Sequence, residues 1–334
     1  MRTKHLVVIG TSAGGIEALR ALVAALPPDF PAAIAVCMHT APQSPAILPD
    51  ILMRSGRLPA SHPRNGDTLS PGRIYVAPPD YHLLIEPGRM RLSKGPRENR
   101  FRPAIDPLFR SAASVYGPGS IGVILTGNLG DGAAGLWAIK QLGGIAIVQD
   151  PGDAMFPSMP QSALRVVNAD YCIPLDQIAP LLTQLTSSTP PDAARPPAAA
   201  EGLEIEVKIA KDEHPLTAGV TRLGRPSPFA CPECHGVLLQ VEEGGRIRFR
   251  CHTGHAYSAE SLQAEIGEAI EVALWNAIRS LQEGTLCLQR MAQHQDTAHA
   301  GDEAAALMAR AREMEQQADT LREMVTSAAP GAAK

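Results

Sequence analysis

Residues 6–15 read LVVIGTSAGG, an apolar run followed at once by small residues. Val and Ile dominate residues 6–9, which is typical of a buried strand in a parallel sheet. The following segment, Gly10 to Gly15, predicts a sharp turn into a helix, because small residues suit a tight backbone path. A helix that begins there directs backbone N–H groups and a partial positive charge at the turn. The stretch therefore indicates an α/β fold with a candidate site at the end of its first strand.

Three interpretations of this turn stay open on the segment alone. Gly10-x-Ser12-x-Gly14 has the pattern of a nucleophile elbow, in which Ser12 forms an acyl-enzyme and the Ala13 N–H helps to hold the oxyanion. A glycine-rich turn can instead bind phosphate, although the glycine spacing is not that of a dinucleotide site and no P-loop lysine follows. The third interpretation is a tight turn with no chemical role.

Short apolar runs alternate with helical patterns throughout the first 186 residues. This alternation predicts a doubly wound, mostly parallel sheet with helices on both faces. The runs Leu83–Ile85 and Met90–Leu92, joined through Pro87-Gly88, predict an inserted β-hairpin. The predicted sheet strands are Leu6–Ile9, Ile34–Met38, Ile74–Val76, Ile121–Leu125 and Ile145–Val148.

Two further polar residues follow predicted strands. His39 comes directly after the second strand, and Asp131 lies in the glycine-rich segment TGNLGDG after the Ile121–Leu125 strand. If the first two strands are neighbours, Ser12 and His39 come within hydrogen-bonding reach at one sheet edge. Asp131 either caps the next helix or orients the imidazole. Asp106, which precedes Pro107, is predicted to be a helix N-cap with proline at the first helical position.

Several motifs in order make residues 4–186 similar to the catalytic domain of CheB-type protein-glutamate methylesterases. The resemblance is carried by IGTSAGG, the strand-end His39, GDTLSPGRIYVAPPDYHLL, RPAIDPLFRSAA, TGNLGDGAAG and the Met159-Pro160 that opens a late helix. It implies a Ser12 nucleophile, a His39 general base and an orienting Asp131. It also implies an oxyanion site made of the backbone N–H groups of Ala13 and Asn128.

The resemblance implies hydrolysis of glutamyl methyl esters on chemoreceptor helices, with some deamidation of glutamine. Two positions depart from the family pattern, since Ala13 replaces the usual Thr and Asn128 replaces the usual Met. The family commonly carries a receiver domain before the esterase. Because the match begins at residue 4, we expect any receiver that regulates this chain to be a separate protein.

Cysteine spacing predicts a metal site after residue 229. Cys231-Pro-Glu-Cys234 is followed after 16 residues by Cys251-His-Thr-Gly-His255. Three thiolates and one imidazole make a closed tetrahedral set for structural Zn²⁺ in a zinc-ribbon hairpin over residues 229–257. We prefer His255 as the fourth ligand, with His252 and His235 as alternatives.

The remaining segments are predicted from composition and periodicity. Residues 187–228 are expected to be a Pro/Ala-rich linker, with a short strand at Glu204–Ile209. Residues 258–334 show helical periodicity and a near-heptad seam, which predicts either a helical hairpin or a coiled-coil-like contact with a second copy. This tail has 12 acidic and 6 basic residues, which argues against contact with nucleic acid or an anionic membrane.

Composition narrows the classes of function. A net charge of −4 does not fit a broad nucleic-acid-binding surface, and no apolar run is long enough for a membrane span or a signal peptide, so we expect a cytoplasmic location. Our leading hypothesis is a serine carboxylesterase that demethylates protein glutamates, with the ribbon and tail docking it to a partner. The alternatives are a non-catalytic adaptor that keeps the esterase fold, and a hydrolase of some other ester or amide.

Overall fold

The secondary structure follows the predicted alternation of strands and helices. The computed structural model describes residues 4–191, 197–243, 245–294 and 301–328. The chain divides into two compact units, Met1–Leu262 and Gln263–Lys334, and each is described by itself. The strands are β1 (Leu6–Thr11), β2 (Ala33–Met38), β3 (Ala60–Ser61), β4 (Ile74–Val76), β5 (His82–Glu86), β6 (Arg89–Ser93), β7 (Ser120–Ile124), β8 (Ile145–Gln149), β9 (Tyr171–Ile173), β10 (Arg225–Ala230), β11 (Val237–Glu243), β12 (Arg246–Cys251) and β13 (Ala256–Ser258). The helices are α1 (Gly15–Ala24), α2 (Leu48–Ser55), α3 (Ile105–Tyr116), α4 (Ala133–Gln141), α5 (Ser158–Val166), α6 (Leu175–Thr186), α7 (Pro197–Ala210), α8 (Pro215–Ala218), α9 (Ala259–Gln293) and α10 (Gly301–Ala328).

A parallel sheet of seven strands, in the order β3-β4-β2-β1-β7-β8-β9, forms the centre of the first unit. The predicted parallel sheet is confirmed, and all five predicted strands lie in it. β1 pairs with β2 on one side and with β7 on the other, so that Thr11 lies beside Met38 and Gly10 beside Ile124. The carboxyl ends of these three strands therefore meet at one edge of the sheet. The strand order reverses at β1, and parallel α/β sheets commonly bind ligands at such a point.

Helices cover both faces of the sheet, because alternate residues of β1 enter two different apolar cores. Leu6 and Val8 belong to the core under α3, α4 and α5. Val7 and Ile9 belong to the core under α1, α2 and α6. Each aliphatic side chain that is fully buried in this way contributes about 1.5–3 kcal/mol. The predicted hairpin is also present, as the antiparallel pair β5 and β6.

The expected linker contains a helix instead. α7 begins at Pro197, and it includes Glu204–Ile209, so the expected strand there is wrong. Ile205 and Ile209 lie four residues apart, on one helical face, and pack with α8. Their burial compensates for the low hydrophobicity of the preceding Pro/Ala run, which is why composition alone was misleading. Residues 192–196 of the expected linker lie outside the described residues.

A second, antiparallel sheet follows, with the order β10-β11-β12-β13; we call residues 225–258 the small sheet. The hairpin predicted within residues 229–257 corresponds to β11 and β12, in which Glu243 pairs with Arg246. The outer strands β10 and β13 had not been predicted. The small sheet belongs to the first unit, together with the parallel sheet.

The predicted helical tail corresponds to α9 and α10. In the second unit the two helices pack against each other, and the Thr285 hydroxyl donates to the carbonyl of Ala311 at 3.4 Å. Ala311, Ala318 and Val325 are buried at intervals of seven residues, which places the near-heptad seam on the intramolecular contact. Across the described ranges, no helix combines the length and the apolarity that crossing a membrane requires.

Candidate active site

Ser12 lies on the sharp turn between β1 and α1. Its backbone N–H donates to the carbonyl of Thr126 at 3.1 Å, which ties the turn to the loop after β7. Gly14 has a φ of 72°, in the left-handed region that favours glycine. A Cβ on Gly15 would lie 2.6 Å from Oγ1 of Thr11, so no side chain fits there. The small residues of the motif are thus required by the turn that presents the Ser12 hydroxyl.

His39 follows β2 and faces Ser12 across the sheet edge. Its backbone N–H donates to the carbonyl of Thr11 at 3.3 Å, which continues the ladder between β1 and β2. Its Nδ1 lies 3.1 Å from Oγ of Ser12. The imidazole stacks on the ring of Phe101, with 3.7 Å between the ring centroids and planes 8° apart. The stacking leaves the imidazole little freedom to tilt.

Asp131 completes the series from a buried position. Its Oδ2 lies 2.7 Å from Nε2 of His39 and also accepts the N–H of Ile105, at 2.6 Å, at the start of α3. Its Oδ1 accepts the side-chain amide of Asn99 at 2.9 Å. Burial alone would raise the pKa of Asp131, but the hydrogen bonds from these three groups and the charge of His39 outweigh burial and lower the pKa. The carboxylate is therefore held in its charged form.

The three side chains form one hydrogen-bonded series, with Nδ1 of His39 toward Ser12 and Nε2 toward Asp131. Proton transfer requires one imidazole nitrogen to accept from the hydroxyl while the other donates to a carboxylate. That requirement is met in this ring orientation. The arrangement can deprotonate a serine hydroxyl and stabilise the imidazolium that results.

Two backbone N–H groups belong to the turn at Ser12 and to the loop after β7 that this turn contacts. Those of Ala13 and Asn128 have no protein acceptor among the described residues. Thr126 Oγ1 donates to the carbonyl of Ala13 at 3.0 Å, which fixes the peptide that follows Ser12. A Cβ on Gly127 would lie 2.9 Å from Cβ of Ser12, so glycine is needed where the two loops approach. Free N–H groups beside a nucleophile are what an oxyanion site requires.

Asp106 is not the N-cap that its position before proline suggested. The N-cap of α3 is Ala104, and Asp106 is the second helical residue. Its Oδ1 accepts the N–H of Gly135 at 2.7 Å, and its Oδ2 accepts the amide of Asn99 at 2.9 Å. The side chain therefore bridges α3 to α4. Burial and the Asp131 carboxylate raise the pKa of Asp106 to about 7.

This raised pKa predicts that the free energy of unfolding falls as the pH rises toward and through about 7. A carboxyl group whose folded-state pKa is raised stabilises the fold while protonated, and that contribution disappears as the pH rises through the folded-state pKa. For Asp106, with Asp131, Glu98 and Arg110 acting on it, we expect the free energy of unfolding to fall by about 1 kcal/mol between pH 6 and pH 8. Urea unfolding at both pH values measures this.

Asp106→Asn should lower this pH dependence, whereas the exposed Asp29→Asn should keep it. An Asp106→Asn protein with the same pH dependence as the wild type would contradict the assignment.

The sequence pattern did not indicate Asn99 or Phe101. Both lie just before the motif that starts at Arg102, in a polar segment without periodicity. Arg110 carried a usable signal, because it interrupts the apolar residues of α3 and a charge in such a helix needs a buried partner. Its partners, Glu98 and Glu206, are distant in sequence, so no local pattern identifies them.

Four metal-type ligands meet in the small sheet. Their donor atoms all lie within 4.8 Å of one another, and neither His252 nor His235 belongs to the group found among the described residues. Tetrahedral Zn²⁺ with Zn–S bonds of about 2.3 Å needs ligand atoms about 3.5–3.8 Å apart. Cys234 Sγ lies 3.6 Å from Cys251 Sγ, which lies 3.5 Å from Nδ1 of His255. The group consists of Cys231, Cys234, Cys251 and His255.

The neighbouring groups suit a metal as well. Nε2 of His255 lies 3.3 Å from a carboxylate oxygen of Glu233, which is a partner that metal-binding histidines commonly have. The donor set therefore fits Zn²⁺ in chemistry and in spacing.

A hydroxyl, an imidazole and a carboxylate hydrogen-bonded in series at the carboxyl edge of a parallel sheet are the arrangement of a serine hydrolase. Comparisons with known proteins agree with this class. The CheB methylesterase family model matches residues 7–182, more than half of the 334-residue chain. The chain belongs to the CheB methylesterase family.

Individual relatives are named for methylesterase and glutaminase activities. A protein-glutamate methylesterase/protein-glutamine glutaminase of Anaeromyxobacter dehalogenans is 43% identical over 182 residues, which are 54% of this chain and 53% of the relative. One of Methanosarcina mazei is 35% identical over 184 residues, 53% of this chain and 50% of the relative. The chain thus spans about half the length of both. The crystal structure of the Thermotoga maritima CheB methylesterase catalytic domain matches with a TM-score of 0.52 and 34% identity, over 54% of this chain and 98% of that domain.

Proposed function

We propose that this chain is a protein-glutamate methylesterase that hydrolyses glutamate methyl esters on chemoreceptor-like proteins and deamidates glutamine as a second activity. The names of the relatives support the reaction type. The observation that carries the proposal is the series from Ser12 through His39 to Asp131, at 3.1 and 2.7 Å. These distances suit proton transfer without rearrangement of the site.

In the proposed reaction, Ser12 Oγ attacks the side-chain carbonyl of the methylated glutamate as Nδ1 of His39 takes its proton. The N–H groups of Ala13 and Asn128 hold the resulting oxyanion. The imidazolium, stabilised by Asp131, returns the proton to the leaving methoxide, which departs as methanol. Water then attacks the glutamyl-serine ester as His39 takes its proton, and the imidazolium gives that proton to Ser12 Oγ as the glutamate is released. With glutamine as the substrate, ammonia is the leaving group.

The two departures from the family pattern are compatible with this chemistry. Ala13 and Asn128 contribute only backbone atoms to the proposed oxyanion site, so their side chains do not determine whether the N–H groups are present. The departures therefore do not favour a non-catalytic adaptor over an enzyme.

We also propose that the Cys/His cluster binds one structural Zn²⁺ and makes the small sheet a zinc ribbon. The spacing of Cys234, Cys251 and His255 supports this proposal. A set of four protein ligands leaves no open position for a substrate or water, so the metal would stabilise the sheet rather than take part in hydrolysis.

Methanol release from a methylated chemoreceptor by the full chain tests the proposed function. We expect methanol release, together with labelling of Ser12 by a serine-directed fluorophosphonate, located by peptide mass spectrometry. Labelling with turnover of small methyl esters but not of receptor would indicate another ester substrate. Folded protein that neither labels nor releases methanol would indicate the adaptor and would overturn the proposal.

A further inference from the structure

Residues 97–101, which we call the strap, join the small sheet to the proposed catalytic residues. The N–H of Ala256 donates to the carbonyl of Arg97 at 3.3 Å, and the N–H of Asn99 donates to the carbonyl of Ala256 at 2.7 Å. Asn99 and Arg100 have φ values of 50° and 80°. Consecutive left-handed residues other than glycine are unfavourable, and they persist where the surroundings impose them. The strap is thus held in its conformation by its contacts.

The side chain of Asn99 connects the two sides of the strap directly. Its buried amide nitrogen donates to Asp131 and to Asp106, each at 2.9 Å. Its oxygen accepts the backbone N–H of Ser258 at 2.7 Å and the hydroxyl of Ser261 at 3.1 Å. An amide has two donors and two acceptor sites, and here all four are used. The position of the amide is therefore set from the small-sheet side and transmitted to the catalytic side.

A cluster of buried charged side chains connects the small sheet to the strap and to α3. Arg250 of β12 donates to Glu98 at 2.9 Å, and Arg110 of α3 contacts both Glu98 and Glu206. Arg248 donates to Glu206 at 3.1 Å. Removing one partner from a buried ion pair is strongly destabilising, so these contacts hold β12 against α3.

The proposed metal ligands are adjacent in sequence to both connections. Arg250 of the charge cluster precedes Cys251, and Ala256, which pairs with the strap, follows His255. The N–H of Cys251 donates to the carbonyl of His255 at 3.0 Å, which closes the turn between them. The small sheet has few buried apolar side chains of its own. Small structures of fewer than about 40 residues usually need a metal or disulfides to hold their fold, and the small sheet is of this size.

We propose, on the basis of the methylesterase function proposed above, that metal binding by the small sheet positions the catalytic carboxylate through Asn99. In this role the metal orders the turn from Cys251 to His255, that turn fixes Ala256 and Ser258, and these fix Asn99 against Asp131. Asn99 is a positioning residue, since its side chain bonds to the Asp131 carboxylate rather than to a reacting atom. The small sheet is then a structural part of the active site rather than a separate attached module.

A double-mutant cycle between the metal site and the strap tests the inference in the full chain. Cys234→Ser and Asn99→Ala should each lower kcat for methanol release by about 10- to 100-fold, because misplacing a catalytic group by about 1 Å has an effect of that size. KM should change little. If the metal acts through Asn99, the double variant should be no slower than the slower single variant. Independent effects would multiply instead, and that result would overturn the inference.

Two readouts separate positioning from general loss of structure. Asn99→Ala should move the acid limb of the kcat profile to higher pH, because Asn99 is one of the donors that lower the pKa of Asp131. It should keep its zinc, whereas Cys234→Ser should lose zinc and also label more slowly with the fluorophosphonate. Matched controls are Asn65→Ala, which removes an exposed amide that accepts the N–H of Leu92, and Cys172→Ser, which removes an exposed thiol. Both controls should behave as the wild type.

Ser261→Ala keeps the proposal testable if Cys234→Ser does not fold. It removes one of the two donors to the Asn99 oxygen without touching a proposed ligand, and we expect kcat to fall by roughly 3- to 10-fold with the same shift of the acid limb. The inference would be overturned if removing zinc from the active wild-type protein with a chelator left kcat for methanol release unchanged. That result would leave the proposed function intact. Wild-type protein that neither labels nor releases methanol would instead overturn the proposed function.

Discussion

Replacing Ser12 with alanine is expected to lower kcat for methanol release from methylated receptor by at least about 10⁴-fold. The hydroxyl is the only group of the proposed series that can form the acyl-enzyme, and His39 has no other hydroxyl within hydrogen-bonding distance among the described residues. Alanine removes the oxygen and keeps the Cβ, so the turn between β1 and α1 should be preserved. The substitution therefore separates the chemistry from the fold.

The measurement is methanol release under single-turnover and steady-state conditions, with fluorophosphonate labelling in parallel. Ser187→Ala is the matched control, because that serine is exposed and follows the end of α6. Receptor binding by Ser12→Ala should equal that of the wild type, since no contact with the protein chain beyond His39 is lost. Methanol release by Ser12→Ala at the wild-type rate would exclude Ser12 as the nucleophile.

The parts of the site that the sequence predicted are those fixed by local backbone requirements. Ser12 stands on a turn whose glycines are needed for sterics, and His39 directly follows a strand rich in apolar residues. Parallel strands place their carboxyl ends at one edge, so neighbouring strands are enough to bring such residues together. The four clustered cysteine and histidine residues were identifiable for the same reason, because each pair lies within one short turn.

The parts that could not be predicted depend on contacts between distant segments. Asn99 is defined by Asp131 on one side and by Ser258 and Ser261 on the other, and no periodicity in the strap records this. α7 escaped prediction because a Pro/Ala-rich run reads as a linker until the burial of Ile205 and Ile209 is known. Contacts between residues that are far apart in the sequence produce no local periodicity or composition from which they could be predicted.

Asp131→Asn is the second substitution with a large expected effect. An amide can present either an acceptor or a donor to Nε2 of His39, but it carries no charge to stabilise the imidazolium. We expect kcat to fall by about 10³- to 10⁴-fold with KM nearly unchanged. Asp29→Asn serves as the exposed control, and methanol release is measured as for Ser12. A loss of less than about tenfold would exclude Asp131 from the proposed role.

The same substitution has a second consequence that a purely catalytic role would not produce. The pKa of Asp131 is lowered in the folded state, so its contribution to stability is present above about pH 4 and is lost as the pH falls through the folded-state pKa. Asp131→Asn should therefore be less stable than the wild type at pH 7, by about 1–2 kcal/mol, because Ile105 loses a charged acceptor. Removing the Asp131 charge also removes the second-largest cause of the raised pKa of Asp106. The fall in stability between pH 6 and pH 8 should then shrink in Asp131→Asn, and an unchanged fall would show that the two carboxylates do not interact.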